Sequence, residues 1–426
     1  MNILVCDDLQ PRADDAVGRI REAGLPEPKQ LVGDNLAKKL KTFVENVRKC
    51  MKDPKNWKPT EKSDFDDADI IILDNNLAHL AIEGAIMTAE SIAGYIRAFS
   101  GAPYIISLNK NPDVDFDLRY LVGDYSTRAD LALKTEHLAN RALWNGEQAD
   151  ATRGFLPWYW PRLNTVAKRR RDQIEFVRRH LDHPVLGSLG FDDEAINFLS
   201  LHAKGALSPT AESDRGQGTG VSVKQVTFRD VFNTRDRSLP AYSERDCLSR
   251  AEKEGNAAIR EIVARVVAAD IDLWFRRDVV GPQEPLVDVP HLLMRLPFLL
   301  GNRTQDINEW NKSILANAAP YGLEQKLYSD HLAKAKFQHD IWVPAACFWW
   351  PKLKADENLN ALFAQARTGN WADVVFCEDR SMFLEREPRN APMPIEFPVE
   401  FEGSWGRRYV SRIADIRYAP RSRLAA

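Results

Sequence analysis

The chain has 426 residues, a formal net charge of −3, 44% hydrophobic and 28% charged residues. That length exceeds one ordinary core, so two or three domains are expected, and the composition is that of a soluble globular protein and not a disordered one. So small a net charge excludes a global attraction to nucleic acid or membrane and leaves such work to local patches.

The five cysteines, Cys6, Cys50, Cys247, Cys347 and Cys377, are scattered without a C-x-x-C pair. Met1 leads straight into a strand and not into a charged and then apolar leader, so a reducing cytoplasm without structural zinc is expected. The most apolar run, "VPHLLMRLPFLLG" at 289–301, is too short for a bilayer and is broken by Arg295 and Pro297, so it reads as a buried helix or turn and no membrane is implied.

The opening "MNILVCDD" is a strand that ends on two adjacent carboxylates, Asp7 and Asp8. Packed together they repel, and desolvation raises the cost. A cation or a phosphorylated ligand accounts for them, and so does a short solvated loop. In "LQPRADDAVGRIREAGL", Pro11 suits a first helical turn, Ala13, Val17 and Ile20 share a face, and Gly24 is placed to end the helix. A weak strand, "KQLVG", follows. Asp34 is placed to cap a helix with Leu36, Leu40, Phe43, Val44 and Val47 at helical spacing.

After a loop, "ADIIILDNN" has the continuous Ile and Leu of a strand covered on both faces, and it stops at Asp74. Thr88 opens a helix with Ile92, Tyr95, Ile96 and Phe99 inward. "APYIISLN" is a buried strand carrying Ser107, a helical stretch spans about 114–122, "ADLALK" is a strand ending on Lys134, and a helix runs through Trp144. The alternation predicts a doubly wound parallel five-stranded sheet.

In such sheets ligands bind at the carboxyl ends of the strands, where Asp7, Asp8, Asp74, Ser107 and Lys134 all fall. Three carboxylates suit a hard divalent cation such as Mg²⁺. With that charge in place Asp74 can attack a phosphoryl group, Lys134 can pair with its oxygens and Ser107 can donate a hydrogen bond. The alternative is a sheet whose acidic strand ends are merely solvated.

This ordered set resembles the receiver domain of two-component response regulators, over about residues 1–145. The resemblance implies Asp74 as phosphoacceptor, Ser107 and Lys134 as its partners, and Mg²⁺ held by Asp7, Asp8, Asp74 and the backbone carbonyl of Asn76. It implies a sensor histidine kinase or phosphotransfer protein as partner, and a homodimer is compatible with it. The sequence departs from the family pattern in several places. Asp8 and Asp74 are 66 residues apart (74 − 8), longer than usual, and "DNNLAHLAIEG" lacks the usual Met-Pro. Lys134 is followed by Thr135 and not by proline, Leu131 replaces a common aromatic, and Leu108 replaces a small residue. The chain therefore resembles a divergent receiver, and a scaffold or phosphate sink without the usual switching is the alternative reading.

The expected organisation is a receiver-like domain at 1–147, a linker at 148–163, a mostly helical domain at 164–370 and a β-containing, Arg-rich segment at 371–426 packed on it. Trp158, Tyr159 and Trp160 between Pro157 and Pro161 read as an interdomain seal in preference to a stacking platform. A helix from Asn164 to about Leu181 has Val166, Ile174, Val177 and Leu181 on one face and Lys168, Arg169, Arg171, Arg178 and Arg179 on the others. Such a helix grips phosphates, is solvated, or docks an acidic partner; nucleic acid is not the favoured reading.

Asp192, Asp193 and Glu194 open a short helix before His202, where acids favour the helix dipole more simply than they hold a metal. Gly216, Gly218 and Gly220 lie in a flexible loop that lacks the context of a phosphate cradle. Helices are expected at 243–277, 286–296, 305–317, 321–337 and 356–367, with His331 and His339 as ordinary core or surface histidines. "DVVFCED", "PIEFPVEFEG" and "RRYVSRIADIRYAP" read as strands, the second with Ile395, Phe397, Val399 and Phe401 alternating and Pro398 at an edge. Arg407, Arg408, Arg412, Arg417, Arg421 and Arg423 face only Asp415, and these arginines are expected to pack on the helical region, partly paired to acids, within an effector region of unknown activity; a nucleic-acid-binding effector, an acidic partner or the receiver's own acidic face are the alternatives.

Overall fold

The computed structural model describes residues 1–59, 62–77, 80–82, 85–86, 89–108, 128–146, 154–158, 160–207, 222–234, 242–314, 323–366, 371–386, 393–395 and 408–411. The continuous apolar runs at 3–7, 70–74 and 104–108 and the shorter "KQLV" and "LAL" form the strands that the sequence predicts. These are β1 (Ile3–Asp7), β2 (Lys29–Val32) and β3 (Ile70–Asp74); a short hairpin of β4 (Ala81–Ile82) and β5 (Ala85–Ile86) stands apart, and β6 (Tyr104–Leu108) and β7 (Leu131–Leu133) complete the set. The main sheet is parallel in the order β2-β1-β3-β6-β7, with Ile3 opposite Ile70, Ile70 opposite Tyr104 and Ile106 opposite Leu131.

Both faces of the sheet are covered. Leu4, Cys6, Ile71, Leu73 and Ile105 pack under α2 (Gly33–Lys52) and α3 (Ala89–Phe99), while Ile3, Val5, Ile70, Ile72 and Ile106 pack under α1 (Gln10–Glu22). The strict alternation follows from the two-residue period of a strand. Burying each of Leu36, Leu40 and Phe43 of α2 contributes about 1.5–3 kcal/mol. α1 starts with Pro11 in its first turn, and Gly24, at φ +80°, follows its end.

Several local expectations change. α2 begins at Gly33 with Val32 at its cap position, so Asp34 sits in the first turn and caps nothing. Strand β7 stops at Leu133, and Lys134 starts a 3-10 turn, Thr135–Ala139, before the short helix Arg141–Asn145. Thr88 and the 114–122 stretch lie outside the described residues.

The length added between Asp8 and Asp74 has a structural use. α2 runs to Lys52, and the loop after it wraps onto the second half of the chain. The side-chain amide of Asn256 donates to the carbonyls of Pro54, Lys55 and Trp57 at 2.9, 3.1 and 2.9 Å. The same side chain caps the helix Ala257–Trp274 by accepting from the N–H groups of Ala258 and Ile259. Gly255, at φ +95°, makes the sharp entry that separates this helix from Tyr242–Lys253.

Helix Ala257–Trp274 is the spine of the second half, with Ile259, Ile262, Val263, Val266 and Val267 fully buried. It continues as a π-helical turn, Phe275–Val280. The region is less purely helical than its pattern suggests. Leu286–Asp288 is a strand (β8), and the stretch expected as helix to 337 gives way to a strand at Lys336–His339 (β9) that pairs with Val343–Trp349 (β10). The order is β8-β10-β9. The tail adds β11 (Val374–Cys377), β12 (Met382–Glu385), β13 (Met393–Ile395) and β14 (Arg408–Val410) in the order β12-β11-β14-β13. Phe397, Pro398, Val399 and Phe401 lie outside the described residues, as do Gly216, Gly218, Gly220 and the other five tail arginines named above. Among the described residues no helix is long and apolar enough to cross a membrane.

Candidate metal and phosphoryl site

β1 and β3 are neighbours in the sheet, so the acids at their carboxyl ends converge. Asp7, Asp8 and Asp74 each offer an oxygen within 4.8 Å of the others, and all three are buried. Burial pushes Asp7 up to about 6, and the Asp74 and Asp8 carboxylates push the same way. The Leu9 N–H, donated to Asp7 Oδ1 at 2.9 Å, opposes that rise and fixes the side chain. This crowding is the state that a cation relieves, and an all-oxygen donor set suits a hard divalent ion such as Mg²⁺. The residues present fit it.

The other sequence-predicted residues lie along the same edge. Ser107 sits opposite Leu73 in the β3–β6 register and is buried, and its hydroxyl lies 3.5 Å from Asn75 Oδ1. Asn75 N–H donates to the carbonyl of Leu108, tying the loop after Asp74 to the end of β6. Asn76 follows, exposed. Lys134 leaves β7 half-buried, two strand spacings from β3, or roughly 10 Å of backbone separation. Burial pushes the neighbouring His137 down to about 4, with the Lys134 charge acting in the same direction against Glu136.

The sequence reading missed one member. Arg12, in the first turn of α1, brings Nη1 to 3.2 Å from Asp74 Oδ2 and 3.9 Å from Asp8 Oδ1. The available signal was a basic residue just after Pro11, where the helix dipole favours an acid.

The opposite end of the sheet holds a second polar cluster. Arg170 is 2% exposed and reaches Asp130 Oδ1, just before β7, and Asp272 Oδ2, on the spine helix, both at 3.1 Å. Its guanidinium also lies 5.6 Å from the ring centre of Tyr104. Asp130 Oδ2 accepts from Ile105 N–H at 2.9 Å and Gln173 Nε2 donates to Asp272 Oδ1 at 2.9 Å. Burial works to raise Asp272, but Arg276, Arg170 and Arg169 outweigh it and hold the carboxyl well below the usual range.

The basic helix, Leu163–His180, is therefore a joint. Its Leu163 and Val166 pack with the sheet, and its Val177 packs with the helical region. Arg169 donates to the carbonyls of Ile341 and Trp342, Arg171 pairs with Asp69, Lys168 with Asp172, and Arg178 and Arg179 with Glu175. Trp158 and Trp160 divide between the two sides as a seal does. Trp158 packs on Phe376 and donates to Asp288 Oδ2 at 2.8 Å, while Trp160 donates to the carbonyl of Leu143 at 3.1 Å. Tyr159 lies outside the described residues.

The acids at 192–194 do not gather with His202. Asp192 and Glu194 pair with Lys352, Asp193 with Lys224, and His202 lies 3.5 Å from Asp278. His331 pairs with Asp356 at 2.7 Å. In the tail, Arg408 is buried against Glu378 and donates to the carbonyl of Gly281 at 2.9 Å. Glu378 accepts from His291 Nε2 at 2.8 Å, and His291 Nδ1 lies 2.6 Å from Asp288 Oδ1.

The parallel sheet, its flanking helices and the acidic cluster together resemble a receiver fold. Comparison with models of known families, with curated proteins and with solved structures finds no match to this chain, so that likeness rests on strand order and on the three carboxylates.

Proposed function

We propose that the chain is a response-regulator-like signalling protein whose Asp74 accepts a phosphoryl group from the phosphohistidine of a sensor kinase or phosphotransfer protein. An Asp74 carboxylate oxygen attacks phosphorus, the P–N bond of the donor breaks, and the imidazole leaves as an acyl phosphate forms. Lys134 balances the phosphoryl oxygens and Ser107 donates a hydrogen bond to one of them. Mg²⁺, held by Asp7, Asp8, Asp74 and the carbonyl of Asn76, supplies the positive charge that lets two anions approach. The 2–1–3 neighbourhood that gathers Asp7, Asp8 and Asp74 within 4.8 Å carries this reading.

Intact-mass measurement with Mg²⁺ and a small phosphodonor, beside calorimetry with the phosphoryl mimic trifluoroberyllate, tests it. The wild type is expected to gain one phosphoryl group or bind one mimic, and Asp74→Ala neither. Equal, negligible responses from both would retire the proposal.

A second reading, a receiver-like scaffold or phosphate sink that does not switch, has one observation in its favour. The helical region is fastened by Arg170 and Arg171 to residues at the amino ends of the strands, the end remote from Asp74. Nucleic acid is not proposed as a partner, because the basic residues of the joint helix already have protein partners.

A further inference from the structure

Arg12 is placed against its helix. A cation in the first turn faces the positive end of the helix dipole, an unfavourable arrangement without compensation. What holds it there is the acidic cluster, since Nη1 lies 3.2 Å from Asp74 Oδ2 and 3.9 Å from Asp8 Oδ1. The two carboxylates are buried, whereas the Arg12 side chain is 33% exposed and borders solvent along which it can swing aside. A guanidinium beside two of the three carboxylates that suit a divalent ion supplies positive charge to the same cluster.

We propose that Arg12 is a built-in counter-cation that competes with a divalent cation for Asp74 and Asp8. The inference rests on the reading of the cluster as a cation site. It has two consequences. The metal-free protein is stable because Arg12 relieves the repulsion among three acids, and metal binding is weak because the ion must displace a charge already in place. Phosphoryl transfer to Asp74 then requires Arg12 to leave Asp74 Oδ2, so any partner that draws Arg12 away primes the site.

Calorimetric titration with Mg²⁺ alone, and thermal melting with and without Mg²⁺, test the proposal on the full chain. Arg12→Ala is expected to bind Mg²⁺ about tenfold more tightly than wild type or better, because the ion no longer has to displace a charge that lies 3.2 Å from Asp74 Oδ2 and 3.9 Å from Asp8 Oδ1. It is also expected to melt lower than wild type without Mg²⁺ and to recover when the ion is added. Arg12→Lys, which keeps the charge, should stay close to wild type. Arg19→Ala removes one positive charge from the same helix, at a surface pair with Asp15 and Glu22, and should leave Mg²⁺ affinity unchanged.

Three results would overturn the inference, and they separate it from the proposed function. Equal Mg²⁺ affinity in wild type and Arg12→Ala would end the competition while sparing the cation site. Tightening by Arg19→Ala as large as that by Arg12→Ala would reduce the effect to net charge. Binding by none of the variants would remove the cation site itself, and the proposed function with it.

Discussion

Arg170 and Asp130 form an ion pair at 3.1 Å in which each side chain is only 3% exposed. One residue belongs to the joint helix and the other to the turn into β7, so the pair crosses from the sheet to the helical region. Asp272, on the far side of the same guanidinium, makes the contact three-sided. A buried charge network is costly to assemble and costlier to break, because the survivors are left in low dielectric without partners. The network ties the sheet to the helical region through buried charge.

Removing the arginine should therefore be severe. Arg170→Ala leaves Asp272 with Arg276 and Asp130 with Arg97, but strips both of their shared partner. The expected loss is roughly 3–5 kcal/mol in guanidinium denaturation. Arg171→Ala, one residue along and half-exposed beside Asp69, should cost under about 1 kcal/mol. A similar small loss for both would mean that Arg170 is not the fastening.

Asn256 performs two tasks that substitutions can separate. Asn256→Asp keeps the cap on Ala258 and Ile259 but loses the amide donor to the 54–57 carbonyls, while Asn256→Ala loses both. The expected order of stability is wild type, then Asp, then Ala, with the cap alone contributing about 1 kcal/mol. Proteolysis of the 53–57 loop should rise in both variants. Unchanged cleavage in Asn256→Asp would show that the amide does not hold that loop.

The sheet was legible because β1, β3 and β6 are continuous apolar runs rich in Ile and Val, and because an acid, serine or lysine stands at or next to the carboxyl end of every strand but β2. That pattern has few competing solutions. The acidic cluster was legible for the same reason, since strand order alone brings Asp7, Asp8 and Asp74 together. Arg12 was not, because its role depends on a helix turn passing over the strand ends. Arg170 was hidden for a different reason: in "KRRRD" it reads as one more charge on a basic face, and only tertiary packing reveals which arginine points inward. β9 and β10 escaped because "KFQH" is short and "VPAACFW" carries a proline and a register shift, and the pairing of β10 with β8 on one side and β9 on the other decides their conformation.

His291 should make stability depend on pH. Burial works against its protonation, but Asp288 and Glu378, one on each ring nitrogen, outweigh burial and the opposing Arg408, so its pKa is raised above the ordinary 6.5. A raised histidine contributes stability that is fully present below the unfolded value. That contribution is lost as pH rises through the folded one. The melting temperature of wild type should therefore fall as pH climbs from about 6.5 toward the alkaline side. His291→Gln should flatten that slope and cost roughly 3 kcal/mol at pH 6, where the charged ring is lost from between two carboxylates. A slope that persists in His291→Gln would assign the pH dependence to another group.

The last prediction concerns what occupancy of Asp74 does to the rest of the chain. Asp74 lies at the carboxyl end of β3, while Asp69, Tyr104 and Asp130 anchor the helical region at the amino ends of β3, β6 and β7. Tyr104 and Leu108, at the two ends of β6, are roughly 13 Å apart at 3.3 Å per residue. Between them run strands buried on both faces, which shift little because a packed core resists continuous deformation. A phosphoryl mimic should accordingly act where Arg12 and the Asn75–Leu108 contact sit and leave the far anchors in place. In hydrogen exchange with trifluoroberyllate and Mg²⁺, the changes are expected in the 9–13 turn and at the ends of β3 and β6. The joint helix and the spine helix should keep their protection. Matching small-angle scattering should show no change in the radius of gyration. Loss of protection along Leu163–His180, or expansion in solution, would mean that the Arg170 fastening opens on activation and that the chain switches by releasing its helical region.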